Sequence, residues 1–237
     1  MSPELSPAEW AALSLSLKVA FWCTLASLLP GIAVAWLLAR REFPGKAVLD
    51  ALVHLPMVLP PVVPGYLLLL LFGHNGAPGR WLHDTFGISL VFDWKGAVLA
   101  SAVMGFPLLV QPVRLAIQMI DRRLERSAAT LGARPLDVFL SVTLPLALPG
   151  ILVGALLSFS RSLGEFGATI TFVGNIEGET RTLPLAIYSS MHAPDGDAMA
   201  LRLVTLSLTI AFVSLLVSNH LSKRAAQRLG YERHADA

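Results

Sequence analysis

"ERSAATLGARPLDVFLSVTLP" occupies Glu125–Pro145, near the middle of a 237-residue chain. It opens with charge and alanine, turns at Gly132, restarts at Pro135 and runs into an uncharged stretch, Val138–Ser160. On a helix of 3.6 residues per turn, Ile120, Leu124, Ala128 and Leu131 share one face, while Arg122, Arg126 and Ala129 fall opposite. Asp121 is placed to cap the amino terminus and Gly132 to stop the helix. Pro135 suits the first turn of a second helix, whose Leu136, Phe139 and Val142 lead into the apolar run. The stretch reads as two short helices meeting at a glycine, a compact charged knob at about 119–145.

Around this knob the chain is apolar. It is 54% hydrophobic and 14% charged, with mean hydropathy +0.64. Crossing a hydrocarbon core takes about 20 mostly apolar helical residues. Leu13–Leu38 carries one charge, Lys18, and Ala47–Phe72 carries only Asp50. Gly96–Val113, Val138–Ser160 and Leu203–Ser222 carry none. The expected fold is all-α: a polytopic membrane helical bundle of five to six transmembrane helices, one domain over 1–237. Phe166–Gly174 is too short to cross, and Leu183–Met191 reads as an interfacial or re-entrant helix, so the sixth segment stays open. The first run is too long for the apolar part of a signal peptide, and Glu4 and Glu9 precede it where basic residues belong. Cys23 stands alone, which excludes an intrachain disulfide.

Basic residues mark the sides. Arg40, Arg41, Lys46, Arg114, Arg122, Arg123, Arg126, Arg134, Lys223, Arg224, Arg228 and Arg233 fall in alternate loops and the tail. The opposite loops hold only Arg80, Lys95, Arg161, Arg181 and Arg202. Basic excess marks the cytoplasmic side. The amino terminus is therefore expected outside, with the knob and the carboxy terminus cytoplasmic.

Enzyme chemistry finds no support. The six histidines show neither H-E-x-x-H nor Cys/His ligand spacing, and no G-x-S-x-G elbow exists. Gly45–Lys46 lacks the earlier glycine and the following hydroxyl of a phosphate loop, so energy for any pumping must come from a partner. No cofactor or metal is expected. Basic residues divided among loops form no nucleic-acid stripe.

Several features bear on a passage. Pro56, Pro60, Pro61 and Pro64 crowd the second apolar run beside Gly65, which predicts a broken or kinked element able to hinge. Gly150, Gly154, Ser158 and Ser162 recur every four residues, which fits close packing within the chain, a seam between copies, or a pore-facing stripe. Arg161 and Glu165 are spaced for a helix-end ion pair; a charged gate is the alternative. Thr169 and Thr171, uncharged donors, suit passage of a dianion without trapping it. Glu177, Glu179 and Arg181 sit in a loop that is either a solvated turn or a docking surface.

The spacing from Gly132 through Val142, Leu144 and Pro145 resembles the E-A-A-x-x-x-G-x9-I-x-L-P loop of permease subunits in bacterial ABC importers. Ala128, Gly132, Leu144 and Pro145 match; Arg126 stands at the strict Glu position, with Glu125 one residue earlier, and Ser127 replaces an alanine. "FPGKAVLDALVHLPMVLPPVVPGYLLL" (Phe43–Leu69) and "RSLGEFGATITFVGNIEGETRTLPLAIYS" (Arg161–Ser189) resemble the molybdate-importing permeases; related sulfate permeases carry Glu-Tyr-Gly where this chain has Glu165-Phe166-Gly167. The resemblance implies a bacterial inner-membrane permease working as a homodimer. It also implies a cytosolic ATPase dimer and an external oxyanion-binding protein as partners, beside membrane lipid. It assigns ATPase coupling to Glu125, Arg126, Ala128, Ala129, Gly132, Arg134, Pro135, Leu144 and Pro145. The residue readings above place Pro60, Pro61, Ser158, Arg161, Glu165, Phe166, Thr169 and Thr171 at the passage or gate, and the resemblance favours Glu177, Glu179 and Arg181 as the surface for binding-protein docking. The cargo it implies is molybdate, with tungstate or sulfate as alternatives. An autonomous oxyanion transporter needing no ATPase, or a membrane scaffold without transport, are the rival readings.

Overall fold

The computed structural model describes residues 5–194 and 196–228; Glu4 and Arg233 lie outside them. The described residues form helices without strands. Helix α1 (Pro7–Arg40) begins at a reciprocal cap. Ser6 Oγ accepts from the Glu9 N–H at 3.3 Å, and Glu9 Oε2 accepts from the Ser6 N–H at 2.6 Å. At 34 residues α1 is about 50 Å long, well beyond the bilayer core. The buried Glu9 carboxylate also takes a 3.0 Å hydrogen bond from Arg202 Nε of the last helix.

Next come α2 (Lys46–Val58), α3 (Val62–Phe72), α4 (Ala77–Phe86) and α5 (Trp94–Met119). The knob follows as α6 (Arg122–Thr130) and α7 (Pro135–Val138), then a π-helical turn (Phe139–Thr143) leads into α8 (Leu144–Leu163). Two short helices, α9 (Gly167–Val173) and α10 (Leu183–Met191), precede α11 (Asp197–Arg228).

Among the described residues, four helical segments are long and apolar enough to cross a membrane. The pair α2–α3 makes a fifth only if counted as one span, because it bends by 114° at Leu59–Pro61. The prolines explain the break: each removes a backbone donor, and Pro61 ends up as the residue before α3. The expectation of five spans thus holds with one span broken. The open sixth segment resolves into α9 and α10, of 7 and 9 residues, neither long enough to cross.

Three buried clusters stack along the bundle. Near the knob, Leu38, Val110, Val113, Ile117 and Ile151 join α1, α5 and α8. At the opposite end, Val19, Leu68, Met104 and Phe172 join α1, α3, α5 and α9. Ala12, Leu183, Ala186 and Leu203 tie α1 to α10 and α11. Large apolar side chains also face outward over α2, α3 and α11, among them Leu52, Val58, Leu70 and Phe212, which lipid or protein must cover.

The small-residue stripe of α8 is accounted for inside the chain. A Cβ on Gly150 would lie 2.7 Å from the Pro112 carbonyl oxygen, and one on Gly154 2.6 Å from that of Leu109. Ser158 Oγ would lie 2.7 Å from a Cβ on Gly105. These contacts let α5 and α8 approach backbone to backbone, so Gly150, Gly154 and Ser158 serve this crossing rather than a seam between copies. Ser158 is fully buried at this crossing.

Candidate functional site

The knob is built as its sequence prescribes. Asp121 Oδ1 accepts from the Arg123 N–H at 2.8 Å and caps α6. The other end closes in a Schellman motif: Ala133 N–H donates to the Ala128 carbonyl at 3.2 Å and Gly132 N–H to that of Ala129 at 3.0 Å. Gly132 has φ +90, with open space where a Cβ would project, so backbone conformation rather than crowding demands glycine. Pro135 opens α7, and Arg134 N–H donates to Asp137 Oδ2 at 3.2 Å. Leu144 and Pro145 begin α8 immediately after the π turn.

Glu125 is the pin. Its Oε1 accepts from Arg40 Nε at 3.2 Å and from Thr143 Oγ1 at 2.7 Å, while Arg40 Nη2 also donates to the Ile120 carbonyl at 3.1 Å. One carboxylate thus joins the end of α1, the knob and the π turn. The acid of this loop is Glu125, and Arg126 at the motif's strict Glu position makes no ion pair with a described residue. Sequence reasoning singled out Glu125 but missed Arg40 and Thr143; Arg40 is 85 residues away and carries no local signal.

Within α6, Glu125 and Ala128 are half-buried and the other residues are exposed. Arg122, Glu125, Arg126 and Ala129 face a cavity against the bundle. Leu124 and Leu131 point out, Leu131 being 89% exposed, and Leu136 of α7 is exposed beside them. Three leucines are thus held outward on a pinned scaffold.

At the far end of the bundle, the bend and α9 meet. A Cβ on Gly167 would lie 2.7 Å from Pro61 Cβ, and one on Gly65 2.6 Å from the Ala168 carbonyl oxygen. Pro60 and Pro61 at the bend are exposed, and Phe166 and Thr171 are half-buried. Phe166 stacks obliquely on Tyr188, with ring centroids 5.2 Å apart. Thr171 Oγ1 donates to the Gly167 carbonyl at 2.8 Å, and Thr169 is buried.

Glu165 is buried, and its Oε1 accepts from the Ala168 N–H at 2.8 Å, capping α9. Arg161 Nη1 lies 2.8 Å from Glu165 Oε2 without hydrogen-bond alignment. The ion pair expected from the spacing is present, and its acid also fixes the start of α9. Glu165→Gln keeps an acceptor for Ala168 and is expected to unfold near the wild-type temperature. Glu165→Ala orphans a buried N–H, and thermal unfolding in detergent should show a loss of about 1–3 kcal/mol.

The loop after α9 is tied to itself. Arg181 donates to Glu177 Oε2 at 2.8 Å and to Asn175 Oδ1 at 2.9 Å. Asn175 donates to Ser189 Oγ at 2.8 Å. Glu177 and Glu179 remain exposed. His54 Nδ1 meets the Asp50 carbonyl at 2.8 Å, and Arg114 Nη1 donates to Asp50 Oδ1 at 2.8 Å.

Among known proteins, the profile described as "Binding-protein-dependent transport system inner membrane component" matches residues 31–227. Over 226 residues the chain is 55% identical to molybdenum transport system permease protein ModB of Escherichia coli (strain K12), covering 95% of this chain and 99% of that one. It is 46% identical over 214 residues to ModB of Mycobacterium tuberculosis, covering 90% of this chain and 78% of that one. Sulfate transport system permease protein CysT of Escherichia coli is 36% identical over 224 residues, with 94% and 80% covered. A crystal structure of a bacterial ABC transporter involved in alginate import superposes with TM-score 0.72 at 20% identity, covering 93% of this chain and 80% of that one. The inward-facing MetNI methionine ABC transporter does so with TM-score 0.65 at 15% identity, covering 92% and 94%. The two structures share the fold; the matched profile and the curated relatives fix the lineage. The chain belongs to the family of inner membrane components of binding-protein-dependent transport systems.

Proposed function

We propose that this chain is the permease subunit of an ATP-driven importer of molybdate, in which two copies enclose the passage in the bacterial inner membrane. An ATPase pair docks on the cytoplasmic knobs, and an oxyanion-binding protein delivers cargo outside. The observation that carries the coupling role is the knob itself: Glu125 pins it to α1 and the π turn while Leu124, Leu131 and Leu136 face away. Force delivered to those leucines reaches α1 and α8 through hydrogen bonds, and the close α5–α8 crossing moves with them as a rigid body.

Cargo rests on likeness, 55% to a molybdenum permease against 36% to a sulfate permease. Orientation rests on the basic residues of the knob side. The passage is drawn along the α2–α3 bend, with Pro60, Pro61, Arg161, Phe166 and Thr171 toward the cargo and Glu165 and Thr169 supporting them from behind. The exposed apolar face of α2–α3 offers the surface for the second copy, and Glu177, Glu179 and Arg181 the surface for the binding protein.

The test is ATP-dependent uptake of labelled molybdate by proteoliposomes holding the chain, its ATPase and its binding protein, with sulfate as competitor. Uptake that resists excess sulfate supports the reading. Preferred uptake of sulfate overturns the cargo, and uptake without any ATPase overturns the mechanism. In the same assay Pro61→Ala should lower uptake several-fold while membrane insertion stays intact, because the restored donor favours continuing the helix through the bend. Wild-type uptake in that variant removes the hinge role.

A further inference from the structure

Behind the knob lies a cavity of about 370 Å³, on the face of α6 opposite its exposed leucines. Arg40, Arg41, Arg122 and Arg126 line it, over a floor of Trp36 and Phe139. The two rings meet edge to face at 6.1 Å, and the Arg41 guanidinium sits 5.5 Å above Trp36. Among the described residues the one acid in the wall, Glu125, is engaged by Arg40 and Thr143. Glu42, in the loop after α1, is held by Lys46 Nζ at 2.7 Å, and that bond keeps its carboxyl below the ordinary range. Arg41, Arg122 and Arg126 make no ion pair with any described residue. Arg41, Arg122 and Arg126 thus border one hollow whose own acid, Glu125, is already engaged, while the Glu42 carboxylate feels Arg122 from the neighbouring loop.

We propose that this cavity binds the phosphate head group of an anionic phospholipid from the cytoplasmic leaflet, bracing the knob from behind. Guanidinium forks match phosphate oxygens, and basic pockets at the cytoplasmic ends of spans suit anionic head groups. The aromatic floor favours a lipid over free phosphate. Trp36 sits one turn before the end of α1, at the depth where tryptophan marks the bilayer interface, and it gives the glycerol and first methylenes an apolar wall. The proposal rests on the cytoplasmic placement of the knob and not on the identity of the cargo.

Native mass spectrometry of the assembled transporter tests it by counting retained lipid, a readout that does not depend on uptake. Transporter in mixed phosphatidylcholine and phosphatidylglycerol should retain phosphatidylglycerol through the wash. Arg41→Gln with Arg122→Gln should weaken retention about 30-fold, from two cations near an anionic surface. The Arg41→Lys, Arg122→Lys pair should restore much of it, and Lys95→Gln at the other end of the bundle should change nothing. Equal retention of the two lipids, or unchanged retention in the glutamine pair, overturns the proposal. Displacement by inorganic phosphate reassigns the cavity to a free anion, and lipid retained by the permease alone but missing from the assembled transporter gives it to the ATPase; both overturn the lipid assignment.

Discussion

Glu125→Ala is expected to leave the chain inserted and able to hydrolyse ATP through its partner, yet to cut ATP-driven uptake by more than tenfold. The carboxylate is the joint of three elements, and removing it strands Arg40, whose side chain is 8% exposed, with only the Ile120 carbonyl. Breaking a buried pair costs about 3–5 kcal/mol, and partial exposure of Glu125 brings this to about 1–3 kcal/mol. Each 1.4 kcal/mol is about tenfold in the population of the pinned knob. Thr143 also loses its acceptor, and the π turn loses its tether to α6. Glu125→Gln keeps an acceptor for Thr143 and removes the charge, so it should fall between. The measurement is the ratio of molybdate imported to ATP hydrolysed: a pinning role lowers the ratio, whereas a role in docking alone lowers hydrolysis and uptake together.

Gly65→Ala is the second large effect. A Cβ there meets the Ala168 carbonyl oxygen at 2.6 Å, Ala168 Cα at 2.8 Å and Thr171 Cβ at 3.0 Å. Two of these are backbone atoms of α9, which no rotamer change can move aside. Helices α3 and α9 must separate, at about 1–3 kcal/mol for overpacking, and the contact of Pro61 with Gly167 opens with them. Uptake should fall at least tenfold and thermal unfolding should come earlier. Gly164→Ala is the control, since it has ordinary φ and its nearest obstacle is 3.9 Å away. If both glycines tolerate alanine equally, the close approach of α3 to α9 does not matter to transport.

Local chemistry made the knob legible before any fold was known. The Asp121 cap, the Gly132 stop and the Pro135 restart each depend on residues within one turn, and each stands where the sequence puts it. The bend at Pro60 and Pro61 was legible as a break, because proline removes donors wherever the chain goes. Its 114° angle was not, being set by packing of α3 on α9. The stripe on α8 announced close packing without naming a neighbour, and the neighbour is α5 of the same chain. Arg40 with Glu125 and Glu9 with Arg202 are separated by 85 and 193 residues, so nothing short-range announces either pair. The exposure of Leu124 and Leu131 was hidden for another reason: periodicity locates an apolar face but cannot tell whether a core or a partner will cover it.

The central claim is that the outward leucines of the knob receive the ATPase. A photo-crosslinking amino acid in place of Leu131, in a transporter still importing molybdate, tests it most directly. Irradiation should join the permease to its ATPase, while the same group in place of Trp81 on α4 should not. A working transporter in which the Leu131 position never joins the ATPase contradicts the account.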